Sequence, residues 1–195
     1  MRRAALLAAA LAATMPVAAT AKAPAKPTLE QRVQRLEDED AIRHIFIAYA
    51  AALDGKNADA YVALFAKNGQ WINGSIVRKG PAEIHALIDG MFHNTPAGYV
   101  NKDSFELTFH PDIKVDGDRA TSRSEHVLFR RHMDGSGLPQ AVLFGRYEDE
   151  FIRENGVWKI LKRVDIPTIP TPEEWGRIMR ARQQQPAQPP AGGAQ

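Results

Sequence analysis

Apolar residues in the first half of the chain recur every three to four positions, the spacing of a buried helical stripe. The longest run predicts a helix from Leu29 to Leu53, whose stripe comprises Val33, Leu36, Ile42, Phe46, Tyr49 and Leu53. The acidic run 37–40 is expected on its solvated face, and Asp54-Gly55 ends the helix. The same spacing predicts a second helix from Ala58 to Phe65 and a third that begins at Gly80-Pro81.

Beyond Asn94 the pattern changes to the alternation of half-buried strands. A first strand carries Phe105, Leu107 and Phe109 alternating with Glu106, Thr108 and His110, and longer strands follow at about 120–132, 140–153 and 157–166. Gly, Asp and Asn clusters separate them as turns, and Asn68-Gly69 predicts a tight turn into an earlier strand at 70–72. These elements predict an α+β fold: a cone-shaped, curved antiparallel sheet wrapped around the long N-terminal helix, with two shorter helices and an internal pocket.

The two ends of the chain differ in composition from the part expected to fold. Residues 1–23 are predicted to be a secretory signal peptide, because two arginines precede an apolar Ala/Leu run and small-residue cleavage sites follow it. The run is shorter than the roughly 20 residues that span a bilayer, which disfavours an uncleaved anchor. Residues 24–28 are predicted as a linker, 29–182 as the domain and 183–195 as a disordered tail. We therefore expect a periplasmic or secreted protein.

Charge and cysteine content narrow the possible partners. Removal of residues 1–21 takes away two of the 25 basic residues and none of the 23 acidic ones, which leaves a formal net charge of zero. Without a basic excess there is no electrostatic case for a nucleic-acid partner or for membrane binding after signal cleavage. The chain has no cysteine, which excludes disulfides, thiolate metal ligands and a cysteine nucleophile.

Four segments resemble the SnoaL-like branch of the nuclear transport factor 2-like superfamily. They are the stretch from Tyr49 to Trp71, KGPAEI at 79–84, VDGDRAT at 115–121 and GRYEDEFIRENGVWKILKR at 145–163. The resemblance implies the same cone-shaped fold. Its nearest functional parallels are lyases without a cofactor, namely scytalone dehydratase, the bile-acid dehydratase and the hexachlorocyclohexane dehydrochlorinase. Because this fold also hosts carriers and assembly domains, function has to be argued from the site.

The resemblance also implies where the site lies. These lyases place a Tyr or Lys and an Asp near the end of the first helix, a His on the first long strand and often an Arg on the last strand. Tyr49, Asp54 and Arg163 match three of these positions. The histidine position falls at Glu106 or Leu107, so His110, which shares strand parity with Glu106, is the natural substitute if no bulge intervenes.

These residue types suit the elimination of water or halide, which needs an acid and a base. Asp54 beside Glu106 would form a like-charge pair in which one carboxyl is driven toward its neutral form. Arg163 would neutralise that pair or hold an anionic substrate, and Tyr49 would donate a hydrogen bond to a developing oxyanion. No motif indicates a metal, flavin or nicotinamide, so we expect no cofactor.

Each candidate also has a structural interpretation. Tyr49 fits a core tyrosine, Asp54 a turn residue, Glu106 a solvent-facing side chain and Arg163 a surface cation. The expected substrate contacts are Phe65, Trp71, Met91, Phe92 and His126, although core packing explains all of them equally well.

Two functions follow from the sequence. One is a cofactor-independent lyase, dehydratase or isomerase that acts on a small cyclic or aromatic molecule by acid/base chemistry in an apolar pocket. The other, favoured by the missing strand histidine, is a non-catalytic periplasmic binding protein for a small apolar ligand. Either is expected to be a homodimer or homotrimer, because the open sheet of this fold often packs against a second copy.

Overall fold

The computed structural model describes residues 26–96, 98–132 and 136–184. Within these ranges the chain forms four helices, α1 (Leu29–Asp54), α2 (Ala58–Val62), α3 (Gly80–Phe92) and α4 (Pro172–Gln184). The strands there are β1 (Phe65–Asn73), β2 (Ile76–Lys79), β3 (Ser104–Asp116), β4 (Arg119–Arg131), β5 (Pro139–Glu154) and β6 (Val157–Ile169). They form one curved sheet in the order β2-β1-β6-β5-β4-β3, which confirms the predicted α+β class.

The predicted ends of the chain are only partly described. The signal peptide at 1–23 and the tail from residue 185 onward lie outside the described residues. Helix α4 includes Gln183 and Gln184, the first two residues that the sequence assigned to the tail. Among the described residues, no helix has the length and apolar character needed to cross a membrane.

Helix α1 begins with a reciprocal capping box. The Thr28 hydroxyl accepts a hydrogen bond from the Gln31 backbone N–H, and the Gln31 side chain accepts one from the Thr28 N–H. These bonds satisfy N–H groups that have no partner within the helix. Residues 29–37 are exposed on every side, so the predicted stripe is buried only further along, at Ile42, Ile45, Phe46, Tyr49 and Ala52.

The sheet is mixed, whereas the sequence predicted a purely antiparallel one. Strands β3 to β6 pair antiparallel, and two-residue turns at Gly117-Asp118 and Asn155-Gly156 join β3 to β4 and β5 to β6. Strand β1 instead pairs parallel with β6. Parallel pairing needs a long connection, and the chain supplies one because α3 and four strands separate β1 from β6.

The start of β1 differs from the prediction. Phe65 begins this strand instead of ending α2, and Asn68-Gly69 lies inside it instead of forming a turn. The register against β6 shifts between Phe65 and Gln70, which marks a bulge. A Cβ at Gly69 would stand 3.0 Å from the Ile160 carbonyl oxygen, so the bulge requires glycine. Asn-Gly gives the same sequence signal for a bulge as for a hairpin turn.

The core lies between α1 to α3 and the inner face of the sheet. Its buried members include Ile42, Phe46, Tyr61, Phe65, Ile84, Ile88, Phe151, Trp158 and Ile160. Buried polar residues interrupt this packing, namely Glu106, Ser122, Ser124, His126, Asp149 and Arg163. Burying such groups costs free energy unless they are paired, so their grouping identifies the region to examine for function.

Candidate functional site

Strand register places polar residues side by side on the inner face of the sheet. One row crosses β4, β5, β6 and β1 as Ser122, Asp149, Arg163 and Trp71. The next row crosses the same strands as Ser124, Tyr147, Asp165 and Asn73. Because side chains two residues apart on a strand share a face, both rows point toward α1.

Arg163 forms the centre of the first row. Its Nε donates to Asp149 Oδ1 at 2.7 Å and its Nη2 donates to Asp149 Oδ2 at 2.9 Å, and both side chains are fully buried. The guanidinium lies between the rings of Tyr49 and Tyr147, with Cζ 4.0 and 4.2 Å from their centroids. Burial disfavours its charge, but Asp149 outweighs that effect and holds the pKa of Arg163 well above its ordinary value.

Two tyrosines and a tryptophan meet above Arg163. The hydroxyl oxygens of Tyr49 and Tyr61 lie 2.5 Å apart, and Trp71 Nε1 donates to the Tyr49 hydroxyl at 3.3 Å. Burial raises the pKa of Tyr49 to about 12 and that of Tyr61 well above its ordinary value. Both phenols therefore stay protonated at neutral pH; one donates to the other, which leaves a single hydroxyl hydrogen for a further acceptor.

Glu106 points into this cluster, and its side chain is buried. Tyr147 donates its hydroxyl to Glu106 Oε1 at 2.8 Å, and the Glu106 backbone N–H donates to Asp54 Oδ1 at 3.1 Å. Burial raises the pKa of Glu106, although His126, Tyr147 and Arg163 each oppose the shift. Burial also raises the pKa of Asp54. The solvent-facing interpretation of Glu106 is wrong; its apolar neighbours Phe105 and Leu107 are the exposed ones.

His126 lies at the far side of Tyr147. The two rings stack with centroids 4.1 Å apart and planes within 9°. His126 Nε2 lies 3.1 Å from Asp165 Oδ1, and Asn73 Nδ2 donates to Asp165 Oδ2 at 2.9 Å. The ring is buried, with 2% of its surface exposed.

The structure brings together Tyr49, Glu106, Arg163 and His126, with Trp71 beside them and Asp54 bound to the backbone of Glu106. His110 does not join them. A register shift between Phe109 and Asp112 breaks the strand parity, and His110 has a φ of 53°, with its side chain 82% exposed beside Glu125. Because a bulge intervenes, the prediction of His110 as the substitute base is wrong.

Some of the predicted substrate contacts lie in the hydrophobic core and one lies at the surface. Phe65 and Phe92 are buried core residues, and Phe65 packs against Tyr61 at a centroid distance of 5.6 Å. Met91 is 62% exposed, so its prediction as a pocket wall is wrong. Met91 was predicted to be buried because it lies three positions after Ile88. The buried stripe of α3 instead continues from Ile84 and Ile88 to Phe92, four positions after Ile88.

A pocket of about 750 Å³ opens at the rim of the sheet, next to the buried cluster. Residues 94–96 and 98–100 line it together with the polar side chains of Lys56, Lys102, Asp103, Ser104 and Arg130. Lys56 follows Asp54 by two residues and Ser104 precedes Glu106 by two, so the pocket adjoins the Asp54–Glu106 contact. The predicted wall residues do not line this pocket.

Several members of the cluster were missed by sequence reasoning: Tyr61, Tyr147, Asp149 and Asp165. Two of them could have been found from the sequence, because Tyr147 and Asp149 alternate with the apolar Phe151 on the buried face of β5. An ionised side chain is rarely buried without a partner, so a carboxylate on that face indicates a buried polar cluster. Among the described residues, no group of three or more His, Asp or Glu side chains is arranged to hold a metal ion.

Residues 34–164 match the family model of the SnoaL-like domain. Among solved structures, a protein from Novosphingobium aromaticivorans described as NTF2-like with a cystatin-like fold is 28% identical over 70% of this chain and 86% of its own, with a TM-score of 0.61. A provisionally assigned scytalone dehydratase from the same organism is 19% identical over 70% and 88%, with a TM-score of 0.58.

A hexachlorocyclohexane dehydrochlorinase of LinA type 3 from Novosphingobium barchaimii is 16% identical over 70% of this chain and 90% of its own, with a TM-score of 0.57. At these identities the dehydratase and the dehydrochlorinase establish a shared fold alone. No curated protein matches the sequence closely.

Proposed function

Because the chain belongs to the SnoaL-like domain family of the nuclear transport factor 2-like superfamily, we propose that it is a cofactor-independent lyase that eliminates water or halide from a small cyclic molecule. The observation that carries the proposal is Glu106, a carboxyl buried against Tyr147 with a raised pKa. Burial of a carboxyl there has a desolvation cost that a neutral acceptor for the Tyr147 hydroxyl, such as a glutamine amide, would largely avoid. Structures of proteins named as a dehydratase and dehydrochlorinases share the fold.

The cluster supplies the groups that an elimination needs. Burial raises the pKa of Glu106, which favours the protonated carboxyl, and a protonated carboxyl can give its proton to a leaving hydroxyl as a general acid does. The phenols of Tyr49 and Tyr61 are held protonated by burial, and the one whose hydrogen is not used between them suits stabilisation of a developing enolate oxygen. Arg163 is paired with Asp149 on two of its nitrogens, which fixes its guanidinium between the rings of Tyr49 and Tyr147.

Substitution of Glu106 tests the proposal. Purified protein would be incubated with 3-hydroxycyclohexanone, with its benzo-fused analogue and with a chlorinated cyclohexane, and enone absorbance or chloride release would be followed. We expect turnover of at least one class, and we expect Glu106→Gln to lower kcat by roughly 10²- to 10⁴-fold, the usual worth of a general acid. Glu125→Gln is the matched control, because Glu125 lies on β4 beside the exposed His110 and outside the cluster. Equal rates for the two variants would contradict the role of Glu106.

A second candidate function is supported by the rim pocket. The pocket is open, and Lys56 Nζ lies 3.5 Å from Ser104 Oγ and 5.2 Å above the Phe92 ring, a position suited to the acidic group of a carried ligand. A periplasmic binding protein for a small ligand would show a raised Tm with that ligand and no turnover. A cyclohexane carboxylate, which has the acidic group that the lyase test compounds lack, therefore separates the two functions: it should raise Tm only if the pocket binds such a ligand.

A further inference from the structure

The inner face also holds a buried His–Asp pair, at positions that the family resemblance did not indicate. His126 lies on β4 and Asp165 on β6, with β5 between them, yet Nε2 and Oδ1 lie only 3.1 Å apart. The ring spans that distance because it lies over Gly145, its cross-strand partner on β5. A Cβ on residue 145 would stand 2.6 Å from His126 Nε2. The absence of a side chain at Gly145 therefore makes the His126–Asp165 contact possible.

The surrounding contacts fix which nitrogen carries the hydrogen. Stacking on Tyr147 holds the imidazole plane, and Asn73 holds the second oxygen of Asp165. A carboxylate accepts hydrogen bonds, so the neutral imidazole presents N–H at Nε2 and its lone pair at Nδ1.

His126 Nδ1 is one of several buried polar atoms on the inner face that lack a hydrogen-bond partner. Within the described part of the chain, His126 Nδ1, Thr108 Oγ1, Ser124 Oγ and Arg163 Nη1 are buried without a hydrogen-bond partner. Thr108 pairs directly with His126 across β3 and β4, and Ser124 lies two residues away on the same face of β4. Buried polar atoms in proteins nearly always have partners. Their grouping on one face indicates a polar ligand that bonds to them.

We propose that His126 is the general base of the elimination, with Nδ1 as the accepting atom and Asp165 as the residue that positions the ring. The proposal rests on the lyase function proposed above. Nδ1 takes a proton from the carbon next to the carbonyl, and the C–H electron pair becomes the second bond of the new C=C. The C–O bond breaks toward oxygen, which takes the Glu106 carboxyl proton and leaves as water. Transfer of the proton from imidazolium back to Glu106, directly or through water, restores both groups.

The first test reads the tautomer and needs no substrate. Long-range ¹H–¹⁵N NMR on ¹⁵N-labelled protein, with His126 assigned through its backbone, is expected to show the Nε2–H tautomer near neutral pH. Gly145→Ala should abolish that preference, because the new methyl group displaces the ring from Asp165. Gly90→Ala is the matched control, since a Cβ there meets no atom within 4 Å. An Nδ1–H tautomer in the unmodified protein would overturn the proposal, whatever the activity.

The second test measures turnover of the compound that proves to be a substrate in the Glu106 experiment. Asp165→Asn presents an amide donor to Nε2, which favours N–H at Nδ1 and removes the basic lone pair. We expect kcat to fall by roughly 10²- to 10⁴-fold with KM within a few-fold. A kcat within fivefold of the unmodified protein would overturn the role of His126 and leave the lyase function intact. Absence of turnover in the unmodified protein would instead overturn the lyase function, and the base role with it.

Discussion

Arg163 is a buried cation whose charge is balanced by a single carboxylate. Asp149 accepts from two of its nitrogens, and neither side chain contacts solvent. Removal of one partner from such a pair leaves an uncompensated buried charge, which costs far more than the pair itself contributes. The stability of the fold and the electrostatics of the site therefore depend on the same two residues.

We expect Asp149→Asn to lower the free energy of unfolding by roughly 3–5 kcal/mol, because it leaves Arg163 buried without its counter-charge. Urea unfolding followed by far-UV circular dichroism would measure the loss. Glu150→Gln is the matched control: Glu150 is the next residue on β5, and its bond to Lys162 is partly exposed. It should cost less than about 1 kcal/mol. Similar losses of unfolding free energy in the two variants would contradict the expectation that Asp149→Asn leaves a buried charge on Arg163 without compensation.

At the residue scale the sequence allowed the site to be predicted only in part. Tyr49, Asp54, Glu106 and Arg163 could be placed because the resemblance to the family's lyases implies site positions on the first helix, the first long strand and the last strand. His126 was not preferred over His110, although Pro111 lies in the bulge that turns His110 outward, because a proline at that position indicates the end of a strand as readily as a bulge. Asp165 could not be found either, because its contact with His126 depends on register across three strands.

At the element scale, α1 is fastened to the last hairpin through Asp38. Its Oδ1 accepts from Arg153 Nη2 at 2.6 Å, Trp158 Nε1 at 3.2 Å and Gln34 Nε2 at 3.2 Å. The acidic run 37–40 predicts a solvated face, yet Asp38 is buried. Burial opposes its ionisation, but the hydrogen bonds from Arg153, Trp158 and Gln34 prevail and lower the pKa of Asp38 below its ordinary value of 3.8.

We expect Asp38→Asn to cost roughly 1.5–3 kcal/mol near neutral pH, since hydrogen bonds to a charged acceptor are lost or weakened. A carboxyl whose pKa is lower in the folded protein stabilises it above the unfolded pKa and loses that effect as the pH falls through the folded pKa. The difference between the two proteins in urea unfolding should therefore shrink below a pH of about 4. Asp118→Asn removes an exposed partner of the same Arg153 and serves as the control. An unchanged difference at low pH would contradict the assignment.

Most elements themselves were predictable. Helix caps, two-residue turns and long alternating strands are local signals, so α1, α3 and the strands β3 to β6 begin and end close to their predicted positions. The errors fall where tertiary contacts decide, as at the bulge around Gly69, whose geometry is set by the Ile160 carbonyl across the sheet. Parallel pairing of β1 with β6 has the same origin, because it joins segments that are distant in sequence.

At the scale of the whole molecule, the outer face of the sheet carries exposed apolar side chains toward its β3 edge. Leu107 pairs with Val127, which in turn pairs with Phe144, so the three form a continuous row across β3, β4 and β5. Leu107 is 55% exposed and Phe105, two residues before it, is 49% exposed. Clustered apolar surface of this kind marks an interaction site more often than a solvated one.

We propose that this face packs against a second copy of the chain, as the sequence led us to expect. Light scattering coupled to size exclusion should then give a dimer or trimer mass at micromolar concentration. Leu107→Lys should shift the mass to that of a monomer, because it places a charge in the middle of the apolar row, and it should barely alter unfolding of the monomer since the side chain is exposed. Ile47→Lys is the control, because Ile47 is 64% exposed on α1, away from the sheet. A monomer mass for the unmodified protein, or a mass unaffected by Leu107→Lys, would contradict an interface on this face. If Leu107→Lys gives a monomer mass and turnover is retained, one protomer contains all the catalytic groups. This outcome is expected because Glu106 and His126 face the opposite side of the same strands.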